Sequence, residues 1–233
     1  MKKVFALILT TISATVAHSA TVNWGVTGVG DSFIVDSTGA ALATNSLVRI
    51  GFFNLTDSQI IALAAPTPGN LSALDAAFVE WDSARIGAGN GGTPGVFDKS
   101  SSRLLNTFAP GAGAQLYMWF LKSTNNSSNA LSISSGVEQA IVYRNKLNDS
   151  DWSVPTSDIA FPANADTSDI GAPGGALRSG SVVLAGNFLS SSSPGATYNG
   201  GPSSAVQLVP EPTSAFLIAV GAAGLMMRRR RQS

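Results

Sequence analysis

The sequence predicts an all-β body, an antiparallel β-sandwich or jelly roll with a small helical insert. Two observations predict this class. Short apolar runs alternate with clusters of Gly, Ser, Asn and Pro, and apolar and polar residues alternate within some of those runs. Residues 21–209 are long enough to bury a single core. Two further helices are expected outside the body, an N-terminal signal helix and a C-terminal transmembrane helix.

The predicted strands differ in how many of their faces are apolar. In 47–53, Val48 and Ile50 share one side while Arg49 lies on the other, because side chains alternate along a strand. In 115–121 both sides are apolar, so this strand is expected at the centre of a sheet that is covered on both faces. The predicted strands are 22–26, 32–36, 40–43, 47–53, 115–121, 137–144, 181–188 and 205–209.

Two short helices are predicted between the strands. Thr56 with Gln59 three residues later forms a capping-box pattern before an apolar run. Pro66 and Pro68 then break the chain. A second helix is predicted over 72–82, because apolar residues recur there at helical spacing. The glycine-rich stretch 87–95 is predicted to be a loop.

The first twenty residues have the three parts of a secretory signal peptide. Lys2 and Lys3 precede an apolar stretch, and small residues follow it. The small-x-small pattern at residues 17–19 favours cleavage before Ala20, and cleavage after Ala17 or after Ala20 also fits. A buried N-terminal helix is the alternative interpretation, which the two lysines disfavour.

The other end of the sequence carries an apolar segment between a proline motif and a basic block. Pro210, Glu211 and Pro212 precede the apolar run 215–227. As a helix that run is about 20 Å long, shorter than a hydrocarbon core of about 30 Å, so its flanks must snorkel or the bilayer must thin. The arginines that follow are expected to stay cytoplasmic. This basic block consists of Arg228, Arg229, Arg230 and Arg231.

This tail resembles the PEP-CTERM sorting domain. The resemblance implies recognition by exosortase, a membrane-embedded cysteine transpeptidase of biofilm-forming Gram-negative bacteria, at Pro210, Glu211 and Pro212. An ordinary C-terminal anchor is the alternative. The order of strands and short helices in the body also resembles uncharacterised PEP-CTERM proteins of Verrucomicrobia-like bacteria, and that resemblance implies no activity. The expected organisation is a signal peptide at 1–20, a β-rich extracytoplasmic domain at 21–189, a flexible linker and last strand at 190–209, and the sorting and anchor segment at 210–233.

Composition excludes several function classes for the body. Between the two terminal segments lie eight Lys and Arg against thirteen Asp and Glu, a balance of about −5 that disfavours nucleic-acid binding. The chain has no cysteine, and its single histidine is His18, in the signal. Ser–His and Cys–His nucleophiles and zinc sites on imidazole or thiolate are therefore excluded. A glycan-acting enzyme would need a facing pair of carboxyl groups, and nothing in the spacing of Glu80, Glu138 or the aspartates predicts one.

Two Asn/Asp/Ser clusters are the candidate calcium ligands. Residues 148–151 and 164–169 supply oxygen ligands, but neither forms a twelve-residue loop with a closing Glu. Because Asn, Asp and Ser are also ordinary turn residues, both clusters are expected to be turns, with no metal and no other cofactor.

Sugar binding would need exposed aromatic platforms. Trp24, Trp152 and Tyr198 lie near predicted turns and could stack on a saccharide ring. A lone aromatic residue in a loop is more often partly buried by packing, so packing is the favoured interpretation of all three. The aromatic residues expected in the core are Trp81, Trp119 and Tyr143.

The expected function is that of an exported, membrane-sorted protein of the cell surface or extracellular matrix, with a non-enzymatic structural or adhesive role and no catalytic residues. The alternative is a module that binds carbohydrate such as exopolysaccharide, and a more distant one is an Asp/Glu-dependent glycan-acting enzyme. The expected partners are exosortase and the cytoplasmic membrane, with exopolysaccharide as a further candidate. The C-terminal helix would anchor the protein in the inner membrane only transiently.

Overall fold

A computed structural model describes the body of the chain. The described residues are 19–26, 32–65, 70–105, 108–109, 111–122, 137–156, 162–171, 175–190, 197–198, 201–202 and 204–210. The predicted signal at residues 1–18 and the predicted anchor at residues 211–233 lie outside them, and so does the predicted transmembrane helix. Within the described ranges no helix is long and apolar enough to cross a membrane.

The described part of the body is mostly β-sheet with two short α-helices, which confirms the predicted fold class at that level. The helices are α1 (Asp57–Ala64) and α2 (Asn70–Ala77). The strands are β1 (Ser19–Val26), β2 (Phe33–Val35), β3 (Leu47–Phe53), β4 (Phe78–Arg85), β5 (Phe97–Leu104), β6 (Tyr117–Leu121), β7 (Gln139–Arg144), β8 (Ala163–Asp166), β9 (Ser181–Ala185), β10 (Asn187–Leu189), β11 (Thr197–Tyr198), β12 (Gly201–Pro202) and β13 (Ala205–Gln207).

The largest sheet has five antiparallel strands in the order β4-β3-β6-β7-β9. Its middle strand, β6, is buried at every position, as its apolar residues on both faces predict. Trp119 in this strand is fully buried. The prediction of a central, doubly covered strand at 115–121 is therefore confirmed.

A three-stranded sheet, β5-β1-β8, packs on one face of the large sheet. The Phe97 ring lies between the two layers, with its centroid 5.1 Å from that of Trp24 and 6.4 Å from that of Phe120. These contacts are compatible with the predicted β-sandwich, while the jelly-roll alternative stays a prediction. The pairing is not purely antiparallel, because β1 runs parallel to β8 and β2 runs parallel to β13.

The helices cover the other face of the large sheet. The predicted capping box is present, with the Gln59 backbone N–H donating to Thr56 Oγ1 and the Thr56 backbone N–H donating to Gln59 Oε1. Beneath the helices, the Tyr143 hydroxyl donates to Asp57 Oδ2 over 2.5 Å. An aromatic cluster fills this layer, made of Phe53, Phe78, Tyr117, Trp119 and Tyr143.

The predicted second helix, 72–82, is wrong in its second half. The helix ends at Ala77 and the chain continues directly as β4. A β-bulge explains the misleading pattern: Ile50 of β3 pairs with Asp82 and Gly51 pairs with Glu80, so Trp81 is the extra residue. The buried residues of β4 therefore recur every third position, which resembles a helical period. At the bulge, a Cβ on Gly51 would lie 2.3 Å from the Val79 carbonyl oxygen, so only glycine fits.

Other differences from the predicted elements are local. Residues 40–43 form no strand, and only an isolated bridge joins Ala41 to Val35. The run 181–188 is split into β9 and β10 at Gly186, whose φ is 90°. Strands β5 and β8 were not predicted. Residues 86–95, which include the predicted loop at 87–95, contain no helix or strand.

Candidate functional site

The last strand of the body, β13, is held between two others. It pairs antiparallel with β10 and parallel with β2, which lies about 170 residues earlier in the sequence. Just before it, the buried hydroxyls of Ser204 and Ser32 lie 2.7 Å apart, and the Ser204 carbonyl accepts from the Phe33 N–H over 2.9 Å. This end of the body is therefore fixed by contacts that form only when distant parts of the chain have folded together.

The two residues after β13 are also part of the body. Leu208 is fully buried, and its N–H donates to the Val35 carbonyl over 2.9 Å. Val209 exchanges two backbone hydrogen bonds with Gln139 of β7, at 3.0 and 2.9 Å. The Gln139 side chain is held in turn, because its Oε1 accepts from Trp119 Nε1 over 3.0 Å. Pro210, which follows, is exposed.

A polar network lies near the point where the chain leaves the folded body, which we call the exit. Lys122 Nζ lies 3.0 Å from both Asp36 Oδ2 and Glu138 Oε1, and Glu138 precedes the bridging residue Gln139. Glu138 also accepts from the backbone N–H and the hydroxyl of Ser37, at 2.8 and 2.9 Å. Gln207 of β13 completes the network by donating to the Ser37 carbonyl over 3.0 Å.

The Asp36 carboxylate and the Lys122 ammonium are each stabilised in their ionised forms. Burial alone would raise the pKa of the Asp36 carboxyl, but hydrogen bonds from Thr38, Lys122 and the Ala40 backbone outweigh it and hold that pKa below its usual value. Burial would likewise lower the pKa of Lys122, yet its contacts with Glu138 and Asp36 raise it. The exit is therefore surrounded by fixed ion pairs at neutral pH.

The predicted sorting residues begin where the described body ends. Of Pro210, Glu211 and Pro212, only Pro210 lies among the described residues, one position beyond the Gln139–Val209 bridge. The predicted cytoplasmic anchor at Arg228, Arg229, Arg230 and Arg231 falls outside them. A single peptide bond thus joins the last residue held by the body, Val209, to the Pro-Glu-Pro tripeptide. Sequence reasoning predicted a strand reaching 209 but could not identify its partners.

Two of the three candidate sugar platforms are buried, so for these two the packing interpretation is confirmed and the sugar-platform alternative is wrong. Trp24 and Trp152 are both inaccessible to solvent. Trp24 packs against Phe97 in the core, and Trp152 Nε1 donates to Asp169 Oδ2 over 3.0 Å. The side chain of Tyr198 lies outside what the structure describes. The three residues predicted to be core are confirmed as such: Trp81, Trp119 and Tyr143.

The two calcium candidates meet at one arginine. Arg144 Nη1 lies 2.8 Å from Asp149 Oδ2 and 3.7 Å from Asp169 Oδ1, one carboxylate from each cluster. Burial and the nearby charge of Asp149 raise the pKa of Asp169, although the Trp152 N–H, the Asp166 backbone and Arg144 oppose this. Burial and Asp149 likewise raise the pKa of Asp151, against the Asn164 backbone. The first cluster lies at a short 3₁₀ helix, Ser150–Trp152, as its composition predicts. Only the second half of the other cluster is a turn, at Thr167–Asp169, because residues 164–166 belong to β8.

The two glutamates of the body are both ion-paired. Glu80 Oε2 lies 2.5 Å from Arg49 Nε, and Asp75 binds the same guanidinium through Nη1. Arg49 is buried, and its guanidinium carbon lies 4.7 Å from the Phe78 ring centroid and 5.2 Å from that of Trp119. Glu138 is engaged by Lys122. Lys99 lies in β5 and pairs with Asp82.

Comparison with known families identifies the tail. Residues 208–231 match the family model of the PEP-CTERM protein-sorting motif. No curated protein and no solved structure matches the chain. The chain therefore carries the sorting motif of an exported exosortase substrate that the membrane holds transiently, while the resemblance of its body to Verrucomicrobia-like proteins has no support.

Proposed function

We propose that exosortase sorts this exported protein to the cell surface or extracellular matrix, where its body has a non-enzymatic structural or adhesive role. The observation that carries the proposal is the sorting motif at residues 208–231, which begins as the folded body ends. The C-terminal segment would hold the protein in the inner membrane until sorting. Pro210, Glu211 and Pro212 would be recognised, and the four arginines would remain in the cytoplasm.

The engagement of the body's two glutamates supports a non-enzymatic role. Glu80 is committed to Arg49, and Glu138 to Lys122. A glycosidase needs one carboxyl group free to give a proton and another free to attack or to activate water. Carboxylates that are held in ion pairs fit a structural function better than this chemistry.

The burial of Trp24 and Trp152 removes two of the three aromatic residues that favoured a carbohydrate-binding module. Exopolysaccharide stays a candidate partner because it belongs to the matrix in which the protein would reside. Among the described side chains, no exposed aromatic platform is available to bind it.

The proposal is tested in a bacterium that makes exosortase, beside a strain from which the enzyme is deleted. The full chain should leave the membrane fraction and lose mass at its C-terminus only in the first strain. Glu211→Ala should trap the protein in the membrane in both strains. Asp98→Asn, a change at an exposed body residue, should be sorted like the parent. Equal sorting in the two strains would refute the assignment of exosortase as the partner.

A further inference from the structure

The end of the body and the start of the sorting motif share two residues. The motif match begins at residue 208, whereas the structure places Leu208 in the core and joins Val209 to Gln139. We call residues 204–209 the C-terminal strap. Its last two residues make three backbone hydrogen bonds to the body, one to Val35 and two to Gln139. The first residues of the motif are therefore occupied when the body is folded.

The distance between the body and the Pro-Glu-Pro tripeptide is limited by covalent geometry. An extended chain spans at most about 3.6 Å per residue, so Glu211 cannot lie more than about 7 Å from Val209. A body of this size has a radius of gyration of about 16 Å, far too large to follow a peptide into an enzyme cleft. An enzyme that grips the motif on both sides of Pro210 must therefore meet a strap that is still attached to the body.

We propose that the C-terminal strap is an autoinhibitory contact, and that the sorting enzyme acts on the chain only after Leu208 and Val209 detach from Val35 and Gln139. The inference rests on the proposed function, since it concerns the same sorting reaction. Detachment is local. It begins at the end of the last strand, where fraying requires the least structure to open, and it leaves β13 paired with β2 and β10.

The contact also links sorting to folding. The strap is held by β2 near the beginning of the body and by β7 in its middle, so it forms only in a complete fold. A folded body retains the first residues of the motif and slows sorting, and an incompletely folded body releases them. The Gln139 side chain supports the bridge through its bond from Trp119 and is a positioning residue for the motif.

The direct test separates strap from motif by insertion. A flexible Gly-Ser spacer of about eight residues, which spans roughly 15 Å, followed by a second Leu-Val pair, is inserted between Val209 and Pro210 of the full chain. The body keeps its strap, and the motif has an unoccupied copy of its first residues. In the exosortase-containing strain, pulse-chase labelling should show tail removal accelerated roughly tenfold or more, the order expected when hydrogen bonds no longer oppose release.

A pair of substitutions distinguishes strap release from relief of crowding or general unfolding. Leu208→Ala, at the original spacing, should accelerate tail removal several-fold, because it removes the buried side chain that holds the end of the strap in the core. Leu74→Ala removes an equally buried leucine from α2, far along the chain from the strap, and should leave the rate unchanged. Thermal unfolding of each purified variant reports how far the body itself is destabilised.

The outcomes are distinct. Acceleration by both the insertion and Leu208→Ala, but not by Leu74→Ala, supports the strap. An unchanged or slower rate for the insertion overturns it, as does equal acceleration by the two leucine variants or acceleration by the insertion alone. If the parent chain is not processed in this strain at all, the proposed function has failed and not the strap.

Discussion

Truncation of Trp119 to alanine should strongly destabilise the body. The indole is inaccessible to solvent in the central strand β6, with ring centroids 5.6 Å from Phe53 and 5.4 Å from Phe78. Its Nε1 donates to Gln139 Oε1, which is also buried. The substitution therefore opens a cavity under the helices and removes the donor of a buried acceptor at the same time.

The magnitude follows from these two effects. Truncating a buried Trp typically costs about 3–5 kcal/mol, and leaving a buried acceptor without its donor adds about 1–3 kcal/mol. A total of roughly 4–8 kcal/mol is comparable to the whole stability of many domains, about 5–15 kcal/mol. Trp119→Phe keeps a ring in the cluster and should cost mainly the hydrogen bond, about 1–3 kcal/mol.

Urea unfolding of residues 20–210, followed by circular dichroism, measures both variants against the parent. Leu147→Ala is the control, because Leu147 is 88% exposed and its truncation should change the free energy of unfolding by less than about 0.5 kcal/mol. A loss below about 1 kcal/mol for Trp119→Ala would refute the assignment of β6 as the centre of the core. A Trp119→Phe variant as unstable as Trp119→Ala would show that the hydrogen bond dominates over the cavity.

Three further predictions concern charge and cations. Burial, together with Asp57, raises the pKa of Tyr117 to about 12, and the same two causes raise the pKa of Tyr143. Ionisation of these tyrosines therefore favours the unfolded state, and the urea midpoint should fall as the pH rises above about 10. A midpoint that stays constant to pH 12 would contradict this. Lys122→Met should destabilise the body by about 1 kcal/mol at pH 7, since the Lys122–Asp36 ion pair is partly exposed. Because the pKa of Asp36 is lowered in the folded state, this loss should shrink as the pH falls below about 3.8. A loss that persists in acid would exclude the ion pairs as its cause. The melting temperature should be the same in chelator and in about 10 mM CaCl₂, a concentration above the dissociation constants of typical extracellular calcium sites. A rise of several degrees that Asp149→Ala or Asp169→Ala abolishes would reveal a calcium site among the carboxylates around Arg144.

The sequence predicted correctly those elements whose position depends on a local pattern alone. The apolar residues on both faces of 115–121 placed β6 at the sheet centre, and the spacing of Thr56 and Gln59 placed the start of α1. In β4 the pattern misled, because a bulge at Trp81 gave a strand the burial period of a helix. Strand β5 was missed because its Lys-Ser-Ser-Ser run has one solvated face and few apolar residues.

Only part of the candidate site was predictable from the sequence. The sorting motif is a contiguous string and was found from the sequence, and the family comparison confirms it. The contacts of the strap were not predictable, since Leu208 and Val209 meet Val35 and Gln139, which lie far away in the sequence. The burial of Trp24 and Trp152 also depends on packing between distant strands, which no local pattern reports.

The central claim is that a folded body ends at Val209 and that the following segment alone holds it at the membrane. The most direct measurement compares the full chain with one that stops at Pro210, both produced with their signal in a strain without exosortase. The truncated chain should appear entirely in the soluble exported fraction, with cooperative thermal unfolding, while the full chain stays in the membrane fraction. A truncated chain that remained with the membrane as firmly as the full one, or that was exported but unfolded without cooperativity, would contradict the account.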